Sequence, residues 1–352
     1  MKLERKNIIV TGGLGFIGSA MIRYLINQTD CKVLNVDSMA YSSNKLTLKS
    51  IEGSERYYFE NCDIRNQKGM KNIFKEFSPD LLINFAAETH VDRSIQDPII
   101  FFETNVMGTL NLALISKEYK SYKNDDFIFH HISTDEVFGD LDIDELAASE
   151  ENLYKPSSPY SASKASSDHL LKAFFRTYDL PVIISNCSNN YGPFQHPEKL
   201  IPHIIISALS NKTLPIYGNG KQIRDWLYVE DHVTAIISAI NFGVPGQSYN
   251  IGGDTQITNL EVVKLICGIL DKLRPSSYVD SYADLIKFVK DRPGHDKRYA
   301  IDSSKINSMC YWKPDHEFGT GLQKTIEWYL ENEDWWERII KGPYKLERIG
   351  DN

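Results

Sequence analysis

The chain has 352 residues, 42% of them hydrophobic and 24% charged, with a formal net charge of −8. That length supports a large core in two domains, and the balance excludes a disordered chain. The acidic excess argues against a nucleic-acid partner, while leaving room for a local basic pocket that would hold a diphosphate. No apolar run reaches a membrane span, and the polar start, Met1 to Asn7, does not read as a signal peptide. A cytoplasmic protein with no membrane partner is expected. The five cysteines, Cys31, Cys62, Cys187, Cys267 and Cys310, have no Cys-x-x-Cys spacing and read as free thiols, mostly in the core. The nine histidines lack zinc-type spacing, so no metal site is expected; the neighbours His130 and His131 would point to opposite faces of a strand.

In chain order, a strand at 7–11 runs into Gly12-Gly13-Leu14-Gly15-Phe16-Ile17-Gly18, which opens a helix at 16–27. Glycines in that place let a backbone approach a pyrophosphate, and the helix start offers free N–H groups. A second strand, 32–36, ends at Asp37, whose carboxylate suits the adenosine ribose hydroxyls of NAD and repels the 2′-phosphate of NADP. A solvated turn is the plainer alternative for Asp37. A third strand, 56–61, leads to Asp63-Ile64, and a helix follows at 67–77. A fourth strand, 81–85, ends in Ala86-Ala87, small enough for a cofactor to lie against or simply for tight packing. After a helix at 101–119 comes a strand at 127–132, then a helix over 160–178 and a strand at 182–186. This alternation predicts an α/β Rossmann-type doubly wound parallel sheet.

The pattern loosens after residue 188, where Pro and Gly punctuate the chain. The reading is a dinucleotide-binding domain over 1–187, rejoined by about 224–252, a smaller α/β substrate-binding domain over 188–340, and a tail at 341–352. The stretch 226–241 reads as strand then helix. One helical run is expected over 321–340, carrying Trp328, Trp335 and Trp336.

Two groups carry chemistry. Tyr160 and Lys164 are four apart on a helix and so share a face. A cation near a phenol lowers its ordinary pKa of about 10 by ~1–3 units, which would make Tyr160 a base. The plainer reading is an exposed helix face. The second group, Thr134-Asp135-Glu136, follows the fifth strand. Hydride transfer alone needs only the hydroxyl of Thr134. Two added carboxyls fit an elimination, in which one group takes a carbon-bound proton and the other protonates a leaving hydroxyl. The alternative is an acidic pair at a helix start.

The glycine spacing and the Tyr-x-x-x-Lys motif resemble the short-chain dehydrogenase/reductase superfamily. Within it, seven runs resemble the nucleotide-sugar 4,6-dehydratases that act on dTDP-glucose: residues 85–94, 133–139, 160–165, 186–193, 197–202, 224–226 and 291–296. They span most of the chain in order. The resemblance implies oxidation at C4 of the sugar, elimination across C5 and C6, and return of the hydride to C6. It implies that Asp135 is the proton donor at the C6 hydroxyl, Glu136 the base at C5 and Tyr160 the base at the C4 hydroxyl. Thr134 would be a hydrogen-bond partner at C4, and Lys164 would hold the nicotinamide ribose. NAD would lie against Gly12, Gly15, Phe16, Ile17, Gly18, Asp37, Asp63, Ile64, Ala86, Ala87, Thr104, Tyr160, Lys164 and Asn190. The nucleotide sugar would meet Thr89, Thr134, Asn189, Lys199, Leu200, Pro215, Tyr217, Arg224, Asn259, Arg292 and His295. Lys199, Arg224 and Arg292 suit a diphosphate, since Arg pairs bidentately with phosphate oxygens.

The related C4 epimerases keep the glycines and the Tyr-Lys pair but lack Asp135-Glu136, and a non-catalytic sensor would not need Thr134, Tyr160 and Lys164 together. Thr89 stands where the family usually has Ser, Phe138 stands where Tyr is frequent, and the loop at 38–44 matches only loosely. Helices 101–119 and 160–178 carry apolar residues beyond one core face, among them Leu110, Leu114, Leu171 and Phe174. In the superfamily the matching helices pair across a two-fold axis, so a homodimer is expected.

Overall fold

A computed structural model of the chain describes residues 3, 6–122, 126–342 and 344. Its strands are β1 (Asn7–Thr11), β2 (Lys32–Asp37), β3 (Tyr57–Asn61), β4 (Leu81–Asn84), β5 (Ile128–Thr134), β6 (Val182–Cys187), β7 (Asn189–Tyr191), β8 (Leu214–Tyr217), β9 (Ile223–Tyr228), β10 (Ser248–Ile251), β11 (Gln256–Thr258) and β12 (Ile286–Val289). Seven of them form one parallel sheet in the order β10-β6-β5-β4-β1-β2-β3. Runs such as Ile8-Ile9-Val10 and Leu81-Leu82-Ile83 are fully buried. That is how strands read when helices cover both faces.

Alternate side chains feed the two faces. Ile8 and Val10 join a core with the helices Phe16–Gln28 and Val229–Phe242, through Met21, Ile22, Val233 and Ile236. Ile9 pairs in register with Leu34 and Leu82 and joins a core on the other face with Phe74, Leu112 and Leu171. The winding reverses between β1 and β4, and at such a switch point the carboxyl ends of the strands leave a crevice.

A third core lies beyond β6. It is built on the three-stranded sheet β11-β9-β7, the pair β12-β8 and the helices Leu200–Leu209, Asn259–Leu273, Phe318–Glu331 and Glu333–Lys341. The expected strand-then-helix at 226–241 divides its loyalties. β9 pairs with β7 and β11, whereas the helix after it packs on the large sheet.

Three expectations are corrected. The run at 321–340 is two helices, because Asn332 leaves the helical conformation and bonds back to the Trp328 carbonyl through both its backbone and its side-chain nitrogen. The break turns Trp335 and Trp336 into the core. The helix at 101–119 is part of a longer run that opens into wide π turns at Phe102–Gly108. The whole run, Pro98–Tyr122, is long and apolar enough by length and composition to cross a membrane, although half of it is buried inside the protein. Looking only for uninterrupted apolar runs missed it. Finally, Leu171 and Phe174 are core residues, and the large apolar side chains left outside on these helices are Ile99, Phe102, Met107, Leu114, Tyr122 and Tyr178.

Candidate active site

The cleft at the switch point encloses about 350 Å³. Gly12 forms its tightest point. Its φ is 70°, and a Cβ there would lie 2.7 Å from the Ala86 nitrogen. A Cβ on Gly18 would lie 2.4 Å from the Gly12 carbonyl oxygen. These positions therefore take only glycine, because the turn packs this closely against Ala86 and the helix start packs this closely against the turn. Asp37 is not a solvated turn residue. It is buried, one oxygen accepting from the Leu14 N–H (2.9 Å) and the other from the Met39 N–H and the Ser43 hydroxyl (2.8 Å each). It thus ties the glycine turn to the loop at 38–44. Gly15, Phe16, Ile17, Asp63, Ile64, Ala86, Ala87, Thr104 and Asn190 line the same cleft. The wide turns at Phe102–Gly108 place Thr104 there, while Asn105 next to it bonds both backbone groups of Glu88 and the Ser163 hydroxyl.

The chemical groups stand on two supports. β5 ends at Thr134, whose hydroxyl caps the short 3-10 turn Asp135–Phe138 by accepting from the Glu136 N–H (3.3 Å). The helix Pro159–Tyr178 begins with a capping box between Ser158 and Ser161 and with Pro159 in its first turn, which fixes where Tyr160 starts. Thr134, Asp135, Glu136, Tyr160 and Lys164 all line the cleft.

Burial sets the electrostatics here. It pushes the Asp135 carboxyl well above its ordinary range, and the neighbouring Glu136 adds to this. One Asp135 oxygen is buried without a hydrogen-bond partner among the described residues. Glu136, partly open to the cleft, is also raised by burial, but Arg292, Arg224 and Lys199 pull it back. The expected lowering of Tyr160 is not what this arrangement gives. Burial raises the phenol well above 10, and Glu136 raises it further. The Lys164 ammonium instead donates to the Ile132 carbonyl (2.6 Å) and lies 3.3 Å from His131 Nε2. Burial lowers Lys164 to about 8.

Of the remaining candidates, Thr89, Asn189 and Lys199 line the cleft, and Lys199 donates to the Thr89 carbonyl at 3.0 Å. Leu200, Pro215, Tyr217, Arg224, Asn259, Arg292 and His295 stand outside that lining. Arg292 and Arg224 still act on it through the charge of Glu136. Arg292 and Tyr217 both contact Asp92 at 3.3 Å, and His295 pairs with Asp291 at 2.6 Å. The Arg224 guanidinium lies 4.3 Å over the Tyr299 ring, and it donates to the Asp296 carbonyl.

Comparison with known proteins settles the lineage. The sequence model of the family described as GDP-mannose 4,6 dehydratase matches residues 9–325. A dTDP-glucose 4,6-dehydratase of Escherichia coli is 52% identical, over 97% of this chain and 99% of that protein. The chain belongs to the dTDP-glucose 4,6-dehydratase family. Two solved members share its fold. The Bacillus anthracis enzyme in complex with NAD has a TM-score of 0.85 and 41% identity, over 95% of this chain and 99% of that one. The Streptomyces venezuelae enzyme, solved with NAD and dTDP bound, has a TM-score of 0.86 and 38% identity over the same shares.

Set within this family, the departures are mild. Phe138 is buried with its ring 5.2 Å from that of Tyr154, edge to face, so the missing phenol is no part of the cleft surface. Thr89 offers Lys199 its backbone oxygen, which a change from Ser leaves in place. The sequence reading missed Ser43, Arg65, Glu88, His196 and Glu198, all of which line the cleft. It also missed Asp225, which raises Asp135. Asp225, Glu88 and Glu198 lay inside runs already noted, 224–226, 85–94 and 197–202, and Ser43 in the noted loop 38–44. Arg65 and His196 sit just outside such runs, in loops whose mutual approach no local pattern announces.

Proposed function

We propose that the protein converts dTDP-glucose to dTDP-4-keto-6-deoxyglucose and water, with NAD as resident cofactor. The observation that carries this reading is the Asp135–Glu136 pair, Asp135 buried and Glu136 partly open, in the same cleft as Tyr160 and the glycine turn. NAD, when bound, supplies reversible oxidation and reduction of the sugar. Gly12, Gly15 and Gly18, on the turn into the first helix, would hold its diphosphate, and Asp37 would hold its adenosine ribose. Tyr160 would take the proton of the C4 hydroxyl with Thr134 and Lys164 beside it in the cleft; burial holds its proton on, and the positive charge of bound NAD would offset that. The C4 ketone acidifies the C5 hydrogen, which Glu136 removes. Asp135 protonates the departing C6 hydroxyl, and Glu136 gives its proton back to C5 when C6 is reduced, which completes the 4-keto-6-deoxy sugar. Their environments split the two carboxyls as an acid–base pair requires. Glu136 raises Asp135 and so keeps a proton on it, while three cations favour the carboxylate of Glu136.

The first two cores form the cofactor half, and the third core carries the nucleotide-sugar half with Lys199, Arg224 and Arg292. Ile99, Phe102, Met107 and Leu114 offer the face for a homodimer. The reading places the enzyme in a reducing cytoplasm, where its five cysteines stay thiols. A C4 epimerase would leave Asp135 and Glu136 without work.

The test is to incubate the purified protein with dTDP-glucose, UDP-glucose and CDP-glucose. A keto sugar from dTDP-glucose alone is the expected outcome, and its absence would overturn the reading. Denaturing the same protein should release NAD. Release of chiefly NADP would refute the role given to Asp37.

A further inference from the structure

Behind Lys164 lies a polar cluster that the chemistry above leaves unused. His131 is on β5, three positions before Thr134, and Asp168 is one helical turn beyond Lys164. Both are fully buried. His131 Nε2 lies 3.3 Å from the Lys164 ammonium and 3.7 Å from Asp168 Oδ1. Its Nδ1 is 3.1 Å from the side-chain nitrogen of Asn84, whose oxygen accepts from the Thr11 hydroxyl at 2.6 Å. The other Asp168 oxygen accepts from the Ser133 hydroxyl (2.7 Å), the Tyr154 hydroxyl (3.0 Å) and the Asn186 amide (3.2 Å). Oδ1 has no hydrogen-bond partner among the described residues and faces only this gap.

Three donors on one oxygen stabilise a carboxylate, and a buried ammonium needs a counter-charge. The titratable groups around Lys164 are Tyr160 and Asp168 on its own helix, His131 and His130 on β5, Cys187 on β6, and Asp135 and Glu136 on the turn. Burial keeps His131 neutral, with Lys164 adding to the effect, and it takes His130 down to about 3. Burial pushes the Cys187 thiol up to about 12. Asp135 and Glu136 face the substrate side. Burial raises the Asp168 carboxyl, and Lys164, the Ser133 hydroxyl, Lys172 and the Tyr154 hydroxyl pull it back; among the described residues it is the one acidic group on the back side of Lys164 that can supply its counter-charge.

We propose that Asp168 is a positioning residue for the C4 oxidation: acting across the ring of His131, its carboxylate keeps Lys164 charged and in place beside Tyr160. The inference rests on the dehydratase reading for its catalytic consequence but not for its electrostatic one. Burial pulls Lys164 down and Asp168 holds it up, so removing the carboxylate makes the lysine lose its proton at lower pH.

The experiment compares wild type with Asp168→Asn and Asp168→Glu. Lys164 is titrated directly by NMR of the labelled side chain, and the pH profile of the first oxidation is followed as NADH absorbance. In Asp168→Asn the Lys164 titration should fall by about 1–3 units, as for loss of a nearby opposite charge. The alkaline limb of the oxidation should move down with it, and Asp168→Glu should restore both. A merely structural role would change amplitude or melting temperature and leave the limb in place. A folded Asp168→Asn protein with unmoved titration overturns the proposal. If that variant does not fold, a neutron structure of the wild-type holoenzyme decides: three deuterons on Lys164 and none on Asp168 support it, and a deuteron on the Asp168 carboxyl overturns it. If wild type does not oxidise dTDP-glucose at all, the dehydratase reading fails, while the Lys164 titration still judges Asp168.

Discussion

Tyr160 and Lys164 stand on a long capped helix, whereas Asp135 and Glu136 stand on a one-turn 3-10 segment closed by Gly139. The helix pair is governed by burial, which raises the phenol and lowers the amine. Burial is the largest influence on the turn pair as well and raises both carboxyls, but neighbours then split them, Glu136 pressing further on Asp135 while Arg292, Arg224 and Lys199 relieve Glu136. Gly139 makes the turn possible: its φ is 80°, and a Cβ there would lie 2.0 Å from the Lys155 carbonyl oxygen. On the proposed mechanism the elimination can be removed without the oxidation, whereas loss of the oxidation also removes the ketone that the elimination needs.

The largest effect expected is from Tyr160→Phe. It deletes the proposed base at C4, and general acid–base catalysis is worth about 10²–10⁴-fold. Rapid mixing with dTDP-glucose should show almost no NADH absorbance. Normal NADH formation would place the base elsewhere and erase the contrast between the two supports. Next come Asp135→Asn and Glu136→Gln, which keep size but lose acid–base function. Dehydration should fall within that same ~10²–10⁴-fold range, while NADH appears and persists. If both variants dehydrate at the wild-type rate, the pair is structural and the case against an epimerase loses its physical support.

How much of this was legible follows from what each feature depends on. The glycine turn, Asp37, the Thr134–Glu136 run and the Tyr160–Lys164 spacing are local, and each lies where its strand or helix predicts. Their chemistry is not local. Nothing in the spacing of Tyr160 and Lys164 says that the ammonium bonds the Ile132 carbonyl. Nor does it say that burial outweighs the cation at the phenol. The break at Asn332 was hidden because no Pro or Gly marks it. The wide turns at Phe102–Gly108 were hidden because their apolar spacing reads as ordinary helix. Leu171 and Phe174 looked like surplus surface only until the neighbouring core was known.

A smaller effect should separate Glu136 from Asp135. Arg292→Gln removes the largest influence that holds Glu136 down. The carboxylate form is then lost at higher pH, so the acid limb of dehydration should move up by about one unit. The KM for dTDP-glucose should rise with it, since Arg292 is a proposed diphosphate contact. An unmoved limb with a raised KM would confine Arg292 to binding.

The smallest effect concerns stability. Asp135 is 3% exposed, and its carboxyl titrates well above its ordinary value of about 3.9. A group raised in this way contributes stability that is fully present below the unfolded value and is lost as pH rises through the folded one. Each unit of upward shift is worth about 1.4 kcal/mol. Asp135→Asn cannot ionise and escapes that loss. Its melting temperature should match wild type near pH 4 and exceed it increasingly as the pH rises, until Asp135 is fully ionised. Glu136 shares the titration, so the crossover belongs to the pair and should sharpen when Glu136→Gln is the background. A melting difference that stays constant from pH 4 to 9 would mean that Asp135 ionises without strain. It would then have no reason to keep the proton that the elimination asks it to deliver.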